Sequence, residues 1–575
     1  MPILGLSGLA HDPAAALLDA KGIVAAIEES KLLRARSASG IPREAIRFCL
    51  QRAGITWRDV EFLAVASRPV RAWARQAWLR VRRAPVAPVA SSYYQTKFFG
   101  ELGRDLNNDH VLRLMGELPR DRVVHLNHQL CHAASAFFAS PSDRALVLSL
   151  DEQGDGQAGM IALGEGTRLT VLEEIAFPHS LGWVYSQVTN LLGFTPGRDE
   201  HKTQWLSLHG EPAFVDLFRA MLRRASEVLP HLDSVYFNPG LAGRIAFSEK
   251  FYRSIGISVK SARADRDSLA GALGEDLRRQ LAASVQQACA DIVVEMAEAF
   301  RKRTGARALC CAGGLFLNPL LVAEVERRTS FDEVHVQPAA GNEGTALGAA
   351  WLVWHERLKK PRGAPLAHLY LGPSYSNHEI KAVVDNCKAR YRWYDTEDQK
   401  MDDVIRWLDA GKIVAWYQGA AEFGPRALGN RSLLGSAWAP YVKENLNEYV
   451  KHREEFRPFA VSMPAEDAAR YFECSPNGRF MATMGRVKPE ARALLEGFAL
   501  PGDRVRLHVV EESANPPLWR LLKRFGQRAP APMLVNTSFN LFGEPLVISP
   551  RDAVRSYFCS GIDVLVPGSF SLAKD

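Results

Sequence analysis

The chain has 575 residues, too many for one hydrophobic core, and its 47% hydrophobic and 23% charged residues are typical of a globular protein with several domains. The formal net charge of +7 is small for this length. It suits small anionic substrates and falls short of the basic stripe of a nucleic-acid-binding protein.

The eight cysteines are scattered and include no CxxC pair, which argues against a zinc ribbon and a disulfide framework. The opening run MPILGLSGLAHDPAAALL is apolar but contains His11 and Asp12 and has no basic region, so we expect no signal peptide. No stretch of about 18 uncharged apolar residues predicts a membrane span. We therefore expect a cytoplasmic protein without a nucleic-acid or membrane partner.

The N-terminal part alternates strand-like and helix-like segments, which predicts an α/β domain. In chain order, ILGLSGLA is typical of a strand, AAALLDAKGIVAAIEES of a hairpin and REAIRFCLQRAGI of an amphipathic helix. ALVLSLDEQGDG then predicts a buried strand that ends in an acidic, glycine-rich turn, and residues 281–302 predict a long helix. The sequence shows no internal repeat.

Residues 68–99 are rich in arginine and also contain Trp73, Trp78 and Tyr93. The pattern favours a helix that packs an apolar stripe inward and solvates its arginines. An interfacial helix or an insert that recognises an acceptor is the alternative.

Two histidines and an aspartate suggest a metal site. His128 and His132 are four residues apart in NHQLCHAASAFF, so a helix would place both imidazoles on one face. Asp151 ends the strand VLSLD, where its carboxylate can point into a cleft. This set suits Fe, Mn or Zn, whereas two unrelated surface or core histidines are the alternative interpretation.

A glycine turn follows the strand ALCCA. Gly313 and Gly314 open a helix there, and such a turn lets backbone N–H groups approach phosphates closely. A simple packing turn is equally compatible with the pattern.

The sequence KKPRGAP at residues 359–365 interrupts the alternation, and we place a domain boundary there. The predicted domains are residues 1–362 and 367–575. The second again mixes strands and helices.

Two runs in the second domain, EFGPRALGNRS and KHREEFRPF, concentrate cationic residues beside turn-forming ones. Arginines fixed in this way can present planar donor forks to phosphate or carboxylate oxygens. The runs therefore predict a small-anion site, with ordinary ion pairs of a structural loop as the alternative. The cations are Arg426, Arg431, Lys451, Arg453 and Arg457.

These runs resemble the O-carbamoyltransferases that modify antibiotics and nodulation factors, and the resemblance extends from Leu4 to Phe570. It implies an α/β protein with an N-terminal actin/Hsp70-like (Kae1-like) ATPase domain and a C-terminal α/β YrdC-like domain that binds carbamoyl phosphate. The implied reaction transfers the carbamoyl group through carbamoyl adenylate to a hydroxyl of a natural-product acceptor. The implied cofactors are ATP and a divalent metal, with iron favoured and Mn or Zn as alternatives. A homodimer would be compatible.

NHQLCHAASAFF resembles the HHxxHAxSAF motif of that family, which implies His128, His132 and Asp151 as metal ligands. Family members usually carry an aspartate before ALGAA, but this chain has Asn342 followed by Glu343. An amide oxygen is a weaker ligand than a carboxylate. Three alternatives stay open: the Asn342 carbonyl binds, Glu343 replaces it, or the metal site is weakened.

The same resemblance assigns roles to further residues. AHDPAAALL resembles the family's HDSSAALL opening, which implies His11 as a general base, although a simple loop histidine is the alternative. The implied nucleotide-binding residues are Gly154, Glu200, Lys202, Gly313, Gly314 and Asn318. The implied carbamoyl phosphate residues are Arg426, Lys451, Arg457, Arg506 and Ser538, of which Arg426, Lys451 and Arg457 are also the catalytic candidates.

Three competing functions remain at this stage. The first is a tRNA threonylcarbamoyladenosine-type synthase, and the second is a sugar kinase or chaperone-like ATPase. The third is a degenerate, non-catalytic relative that binds a ligand or partner, which Asn342 and Pro13 would allow. The acceptor cannot be read from the residues, because pocket details decide it.

Overall fold

The computed structural model describes residues 1–9, 11–69, 119–223, 227–238, 247–258 and 273–574. The helix predicted within residues 68–99 lies outside these ranges, apart from its first two residues. The chain forms two compact units. The first comprises Met1–Gly22, Ser39–Ile41 and Ile55–Pro365, and the second comprises Ile23–Ala38, Pro42–Gly54 and Leu366–Asp575.

The strands and helices among residues 1–69 alternate much as the sequence predicts. They are β1 (Ile3–Ser7), β2 (Ala14–Asp19), β3 (Gly22–Glu28), α1 (Glu29–Leu33), α2 (Arg43–Ala53) and β4 (Phe62–Val65). β2 and β3 follow each other across a turn at residues 20–21, as expected for the predicted hairpin. Gly54 ends α2 with a φ of 66°, a left-handed conformation that favours glycine.

The rest of the first unit is built from longer strands and helices. They are β5 (Val123–His125), α3 (His128–Ala139), β6 (Arg144–Gly154), β7 (Gln157–Glu165), β8 (Arg168–Ala176), α4 (Leu181–Leu191), α5 (Glu200–Leu206), α6 (Val215–Leu222), α7 (Glu249–Ser254), α8 (Glu275–Thr304), β9 (Ala308–Ala312), α9 (Pro319–Arg328), β10 (Glu333–Val336) and α10 (Thr345–Leu352). Several of these helices begin after a residue whose side chain accepts a hydrogen bond from a backbone N–H of the first turn. Asn127, for example, accepts a hydrogen bond from the Leu130 N–H at 2.8 Å.

Two sheets of the first unit repeat one strand order. In the first sheet the strands run β2-β1-β4-β5, and in the second they run β8-β7-β6-β9-β10. β1 pairs antiparallel with β2 and parallel with β4, just as β6 pairs antiparallel with β7 and parallel with β9. A duplicated order of this kind is that of the actin/Hsp70-like fold, which confirms the predicted fold even though the sequence shows no repeat.

Helix α10 has the sequence TALGAAWL, and its residues are all buried. Its small residues allow close packing on α3 and β1. A Cβ atom at Gly348 would lie 1.8 Å from the Cys131 carbonyl oxygen, and one at Gly5 would lie 2.0 Å from the Ala346 carbonyl oxygen. The helix therefore holds α3, with its two histidines, tightly against the rest of the unit.

The second unit contains the remaining elements. They are α11 (Asn377–Asn386), β11 (Arg392–Trp393), α12 (Glu397–Asp409), β12 (Val414–Tyr417), β13 (Arg431–Ser436), α13 (Val442–Leu446), β14 (Ala460–Pro464), α14 (Ala465–Tyr471), β15 (Phe472–Glu473), β16 (Gly485–Val487), α15 (Arg492–Leu495), β17 (Arg504–Val505), β18 (Leu507–Val510), α16 (Pro516–Gly526), β19 (Leu534–Ser538), α17 (Pro550–Phe558), β20 (Val564–Pro567) and β21 (Phe570–Ala573).

One mixed sheet dominates this unit, with the order β11-β21-β20-β12-β13-β19-β14-β18, and a small sheet β15-β16-β17 accompanies it. Apolar side chains of α12 and α16, such as Leu408 and Leu521, pack with Trp416 and Leu434 of the large sheet. A second cluster includes Val461 and Leu507, which neighbour each other on β14 and β18. The strands are therefore buried on both faces, and α/β architecture holds for this unit as predicted.

Short helical turns also occur among the described residues. They lie at Trp57–Asp59, Arg120–Arg122, Ser207–His209, Ser234–Tyr236, Gly314–Leu317, Asn342–Gly344, Val353–Arg357, Asn447–Lys451, Pro476–Phe480 and Pro489–Ala491. Within the described ranges, no helix combines the length and apolar character needed to cross a membrane.

Candidate functional site

The first unit gathers His128, His132 and Asp151 into what we call the His–Asp centre. Both histidines lie in α3, one turn apart, and Asp151 lies in β6. The Nε2 atoms of the histidines are 3.2 Å apart, and the Asp151 Oδ2 is 3.3 Å from His128 Nε2 and 3.7 Å from His132 Nε2. The helical spacing thus aims both imidazoles at one carboxylate, as the sequence predicts.

The surroundings prepare these groups to bind a cation. His128 Nδ1 lies 3.2 Å from the Ala66 carbonyl oxygen, so it carries the proton and leaves the Nε2 lone pair for a ligand bond. Burial acts to raise the pKa of Asp151, but the adjacent His128 and His132 imidazoles outweigh it and hold the pKa well below its ordinary value. Burial lowers the pKa of His132, which keeps that imidazole neutral.

The donor set therefore fits a divalent metal. One ligand atom from each of the three residues lies within 4.8 Å of the others. Two imidazoles and an ionised carboxylate are typical ligands of Fe, Mn and Zn sites. Glu343 is not part of this group within the described residues.

Gly154 touches the His–Asp centre directly, although the sequence analysis placed it among nucleotide-binding residues. A Cβ atom at this position would lie 2.0 Å from His128 Cδ2 and 2.8 Å from His128 Nε2. Glycine at residue 154 is therefore required for the imidazole to reach its position.

We expect Gly154→Ala to lower the affinity for Mn²⁺ by at least about tenfold, because the added methyl group must push the His128 ring away from Asp151. Titration calorimetry with Mn²⁺ measures this effect. Gly363→Ala is the matched control in the same unit, since a Cβ atom there would meet nothing within 4 Å. Unchanged Mn²⁺ affinity in Gly154→Ala would show that His128 is not a ligand.

Asn342 and His11 meet beside the His–Asp centre. The Asn342 Nδ2 lies 3.1 Å from His11 Nδ1 and 3.2 Å from His11 Nε2, and its amide also faces the His132 imidazole. The Asn342 Oδ1 is buried and completes no hydrogen bond with any described atom. A hydrogen bond to the Asp12 carboxylate raises the pKa of His11, whose side chain is largely exposed.

The predicted glycine turn lies at the same end of the second sheet. Gly313 has a φ of 97°, and a Cβ atom on it would lie 2.2 Å from the Leu150 carbonyl oxygen. The N–H of Gly314 donates to the Asp151 Oδ1 at 3.2 Å. Asn318 caps α9 by accepting from the N–H groups of the helix's first turn, so its oxygen has a structural role.

Glu200 and Lys202 differ in their relation to the centre. Ser186 donates to Glu200 at 2.9 Å and to Glu152, the neighbour of Asp151, at 3.3 Å. Lys202 instead pairs with Asp199 at 3.5 Å and lies over the Phe194 ring. Glu200 is thus connected through Ser186 to the vicinity of the His–Asp centre.

Asp155 supports the centre through the backbone of α3. Its carboxylate accepts from the backbone N–H of His128 at 2.9 Å and from the N–H of Arg68 at 3.1 Å. It therefore caps the first turn of α3 and fixes the start of the helix that carries both histidines. The acidic turn after β6 was the signal that could have identified it.

The second unit contains the arginine cluster, which we define as Arg426, Arg453, Arg457 and Arg506. Burial, together with the positive charges of the other three arginines, lowers the pKa of Arg506 well below its ordinary value. Burial and a like-charged neighbour also lower the pKa of Arg453, to about 9. Like charges repel at such short range, and a bound dianion would relieve the repulsion.

Lys451 and Ser538 join the arginine cluster. Burial and the charges of Arg453 and Arg457 lower the pKa of Lys451 well below its ordinary value. The Lys451 Nζ donates to the Ser538 carbonyl at 2.5 Å, and to the Asn540 carbonyl and Oδ1 at 3.0 and 2.7 Å. Lys451 thus holds the Ser538–Asn540 turn beside the arginines, and Asn540 is a functional candidate that the sequence analysis missed.

Arg431 has a different role from the other cations of its run. It is fully buried over the Tyr417 ring, at 3.8 Å from the ring centroid. Its guanidinium donates to the carbonyl oxygens of Gln418, Gly419 and Asn430. The prediction that the Arg431 guanidinium binds an anion is therefore wrong, because its N–H groups already donate to backbone carbonyls.

The loop that carries Arg426 is held from inside the second unit. The Glu422 Oε1 accepts from the N–H groups of Leu428 and Asn430, each at 2.8 Å. Lys31 donates to the carbonyls of Glu422 and Gly424 and pairs with Glu28 at 2.8 Å. A stretch from the N-terminal part of the chain therefore supports the anion loop, which sequence spacing could not reveal.

Comparisons with known proteins agree with this division of sites. A family model described as "Carbamoyltransferase N-terminus" matches residues 2–351, and one described as "Carbamoyltransferase C-terminus" matches residues 405–574. An uncharacterised protein of Synechocystis is 33% identical over 100% of this chain and 96% of its own length. Nodulation protein NolNO of Sinorhizobium fredii is 30% identical over 98% of this chain and 79% of its own length.

A third relative has a more specific name. The 3'-hydroxymethylcephem-O-carbamoyltransferase of Amycolatopsis lactamdurans is 33% identical over 41% of this chain and 43% of its own length. The arginine cluster lies within the segment matched by the C-terminal model, and the His–Asp centre lies within the segment matched by the N-terminal one.

Proposed function

The chain belongs to the carbamoyltransferase family, and on this premise we propose that it is an ATP-dependent O-carbamoyltransferase that modifies a hydroxyl of a natural product. The observation that supports the proposal most is that each matched half contains its own candidate centre. A cluster of arginines whose positive charges repel one another suits the phosphate of carbamoyl phosphate, and a His–Asp centre beside a glycine turn suits a nucleotide with its metal.

In the first proposed step, the second unit hydrolyses carbamoyl phosphate to carbamate and phosphate. Arg426, Arg457 and Arg506 would bind the phosphate oxygens and stabilise the negative charge that grows on the departing phosphate. Ser538 would add a hydroxyl donor by turning its O–H away from the Asn540 Oδ1, to which it donates at 2.7 Å, and Lys451 would keep Ser538 in place.

In the second proposed step, the first unit joins carbamate to ATP. A carbamate oxygen attacks the α-phosphorus, a bond to the β-phosphate breaks, and carbamoyl adenylate and pyrophosphate result. The turn at Gly313 and Gly314 has no Cβ atoms and would let the phosphates approach the backbone closely. His128, His132 and Asp151 would hold a divalent metal, with iron favoured, whose chemistry is to polarise phosphate oxygens.

In the last proposed step, the acceptor hydroxyl attacks the carbamoyl carbon and AMP departs. His11 would accept the hydroxyl proton. Its Nδ1 lies 3.0 Å from Asp12 Oδ2, which favours the tautomer with a basic Nε2. Adenylation supplies the good leaving group that carbamate itself lacks.

The test is to incubate the full chain with ATP and carbamoyl phosphate, without an acceptor, and to identify the products by mass spectrometry. We expect carbamoyl adenylate, or AMP with pyrophosphate, formed only when carbamoyl phosphate is present. ADP would contradict the proposal and favour a kinase-like ATPase. No nucleotide turnover with Fe, Mn or Zn would favour a non-catalytic relative.

A cytoplasmic location and a homodimer remain predictions of the sequence.

A further inference from the structure

A pocket in the second unit is lined by residues close in the chain to Arg426 and Arg506 and is not used by the steps above. Its empty space, with the open solvent at its mouth included, is about 310 Å³. The walls combine apolar side chains with a few polar ones, and the residues that matter here are Tyr370, Leu428, Arg479, His508 and Glu511.

Two of these residues place the pocket next to the proposed anion site. His508 follows Arg506 by two residues at the start of β18, and side chains two apart along a strand share one face of the sheet. Leu428 likewise follows Arg426 by two residues in the anion loop. The pocket is therefore lined by residues that follow Arg426 and Arg506 closely in the chain.

His508 is held in one orientation by a buried hydrogen-bond relay. Asn536 donates from Nδ2 to the Ser462 Oγ at 2.9 Å, and the Ser462 hydroxyl lies 2.9 Å from His508 Nδ1. The Asn536 Nδ2 also lies 3.4 Å from His508 Nδ1, and because an amide N–H can only donate, Nδ1 is the acceptor in this relay. The proton of the neutral ring then resides on Nε2.

That Nε2–H group is available to a ligand. His508 is only 2% exposed and lines the pocket, and none of the hydrogen bonds among the described residues involves its Nε2. Burial lowers the pKa of His508 to about 3, so the ring stays neutral at physiological pH. A ligand carbonyl in the pocket would supply an acceptor for this group.

We propose that His508 donates its Nε2–H to the carbonyl oxygen of the carbamoyl group and so distinguishes carbamoyl phosphate from inorganic phosphate. The inference rests on the proposed function, because the arginine cluster must bind the phosphate end. The pocket walls, including Tyr370 and Leu428, then surround the planar carbamoyl end. The tyrosine hydroxyl already donates to the Leu428 carbonyl at 2.8 Å, and Arg479 donates to the Glu511 carboxylate at 3.1 Å, whereas the His508 Nε2–H faces the pocket.

The test compares two stable ligands by titration calorimetry on the full chain. Phosphonoacetamide carries a carboxamide and a phosphonate, whereas methylphosphonate carries the phosphonate alone. We expect His508→Leu to weaken phosphonoacetamide binding about tenfold, as the loss of one buried hydrogen bond predicts, and to leave methylphosphonate within about twofold. His508→Gln should restore much of the phosphonoacetamide affinity, because its side-chain amide also donates an N–H.

Tyr394→Phe is the control for general loosening of this unit, since it removes a buried hydroxyl that contacts Asp403 and Ser571. It should change neither affinity. Equal losses for both ligands in His508→Leu, or no loss for either, would overturn the inference while leaving the anion site intact. A wild-type chain that binds neither ligand would overturn the anion site of the proposed function, and the inference with it.

Discussion

Replacing Arg506 by Met is expected to weaken phosphate binding about a hundredfold, since one charge-assisted donor fork is lost from the arginine cluster. The same change should stabilise the ligand-free protein by about 1 kcal/mol, because it removes a partly buried cation that Arg426, Arg453 and Arg457 repel. Binding and stability should therefore change in opposite directions, as expected for a residue that serves a ligand rather than the fold.

Urea unfolding with and without phosphate measures both effects. Phosphate at about a hundred times its wild-type Kd should stabilise the wild-type chain by about 2.7 kcal/mol and Arg506→Met by only about 0.4 kcal/mol. A destabilised Arg506→Met that keeps its phosphate response would show that Arg506 belongs to the structural framework.

Arg431→Met is the matched control, because it replaces an arginine of the same sequence run that contacts backbone carbonyls. We expect it to destabilise the protein by about 3 kcal/mol or more, since several buried carbonyls lose their donor. The phosphate response of the folded variant should remain near that of the wild type. If Arg431→Met lost the phosphate response and Arg506→Met kept it but was destabilised, our assignment of both arginines would be contradicted.

The sequence was informative about the His–Asp centre because the required geometry is local. Two histidines four residues apart on a breaker-free segment must share a helix face, and the structure places His128 and His132 accordingly. Asp151 could be added because a buried strand followed by an acidic turn brings its carboxylate to a sheet edge. The resemblance to known enzymes supplied the chemistry.

The sequence could not distinguish the roles of the arginines, because their difference depends on long-range packing. Arg426 and Arg431 occur in one short run, yet only the fold shows that Arg431 points into the interior over Tyr417. Lys31 is some 390 residues from the loop it supports, and no periodicity connects them.

The relay behind His508 was missed for a different reason. In VNTSFN, Asn536, Ser538 and Asn540 alternate with apolar or small residues, so the period of a strand puts them on one face. The alternation therefore predicted a polar face on that strand. However, Ser462 and His508 reach the same face from β14 and β18, and strand neighbours of this kind emerge only from the sheet order.

Asn342 stands where the resemblance expects a metal-binding aspartate, and Asn342→Asp tests whether residue 342 is a metal ligand. We expect this variant to bind Mn²⁺ at least about tenfold more tightly, because a charged oxygen would replace an amide beside two histidines and a carboxylate. Without metal, the new carboxylate would face Asp151, and like charges should destabilise the protein by about 1 kcal/mol or more. Mn²⁺ titration followed by electron paramagnetic resonance, and urea unfolding in EDTA, measure the two effects.

Two further variants decide among the alternatives that the sequence left open. If the Asn342 carbonyl is a ligand, as its buried Oδ1 without a hydrogen bond suggests, Asn342→Leu should weaken Mn²⁺ binding about tenfold. Glu343→Gln should then have little effect, because the Glu343 carboxylate lies against Gly341, 2.5 Å from where a Cβ atom of that glycine would be, and not in the His–Asp centre. A large loss in Glu343→Gln with no loss in Asn342→Leu would instead identify Glu343 as the residue that moves to complete the site.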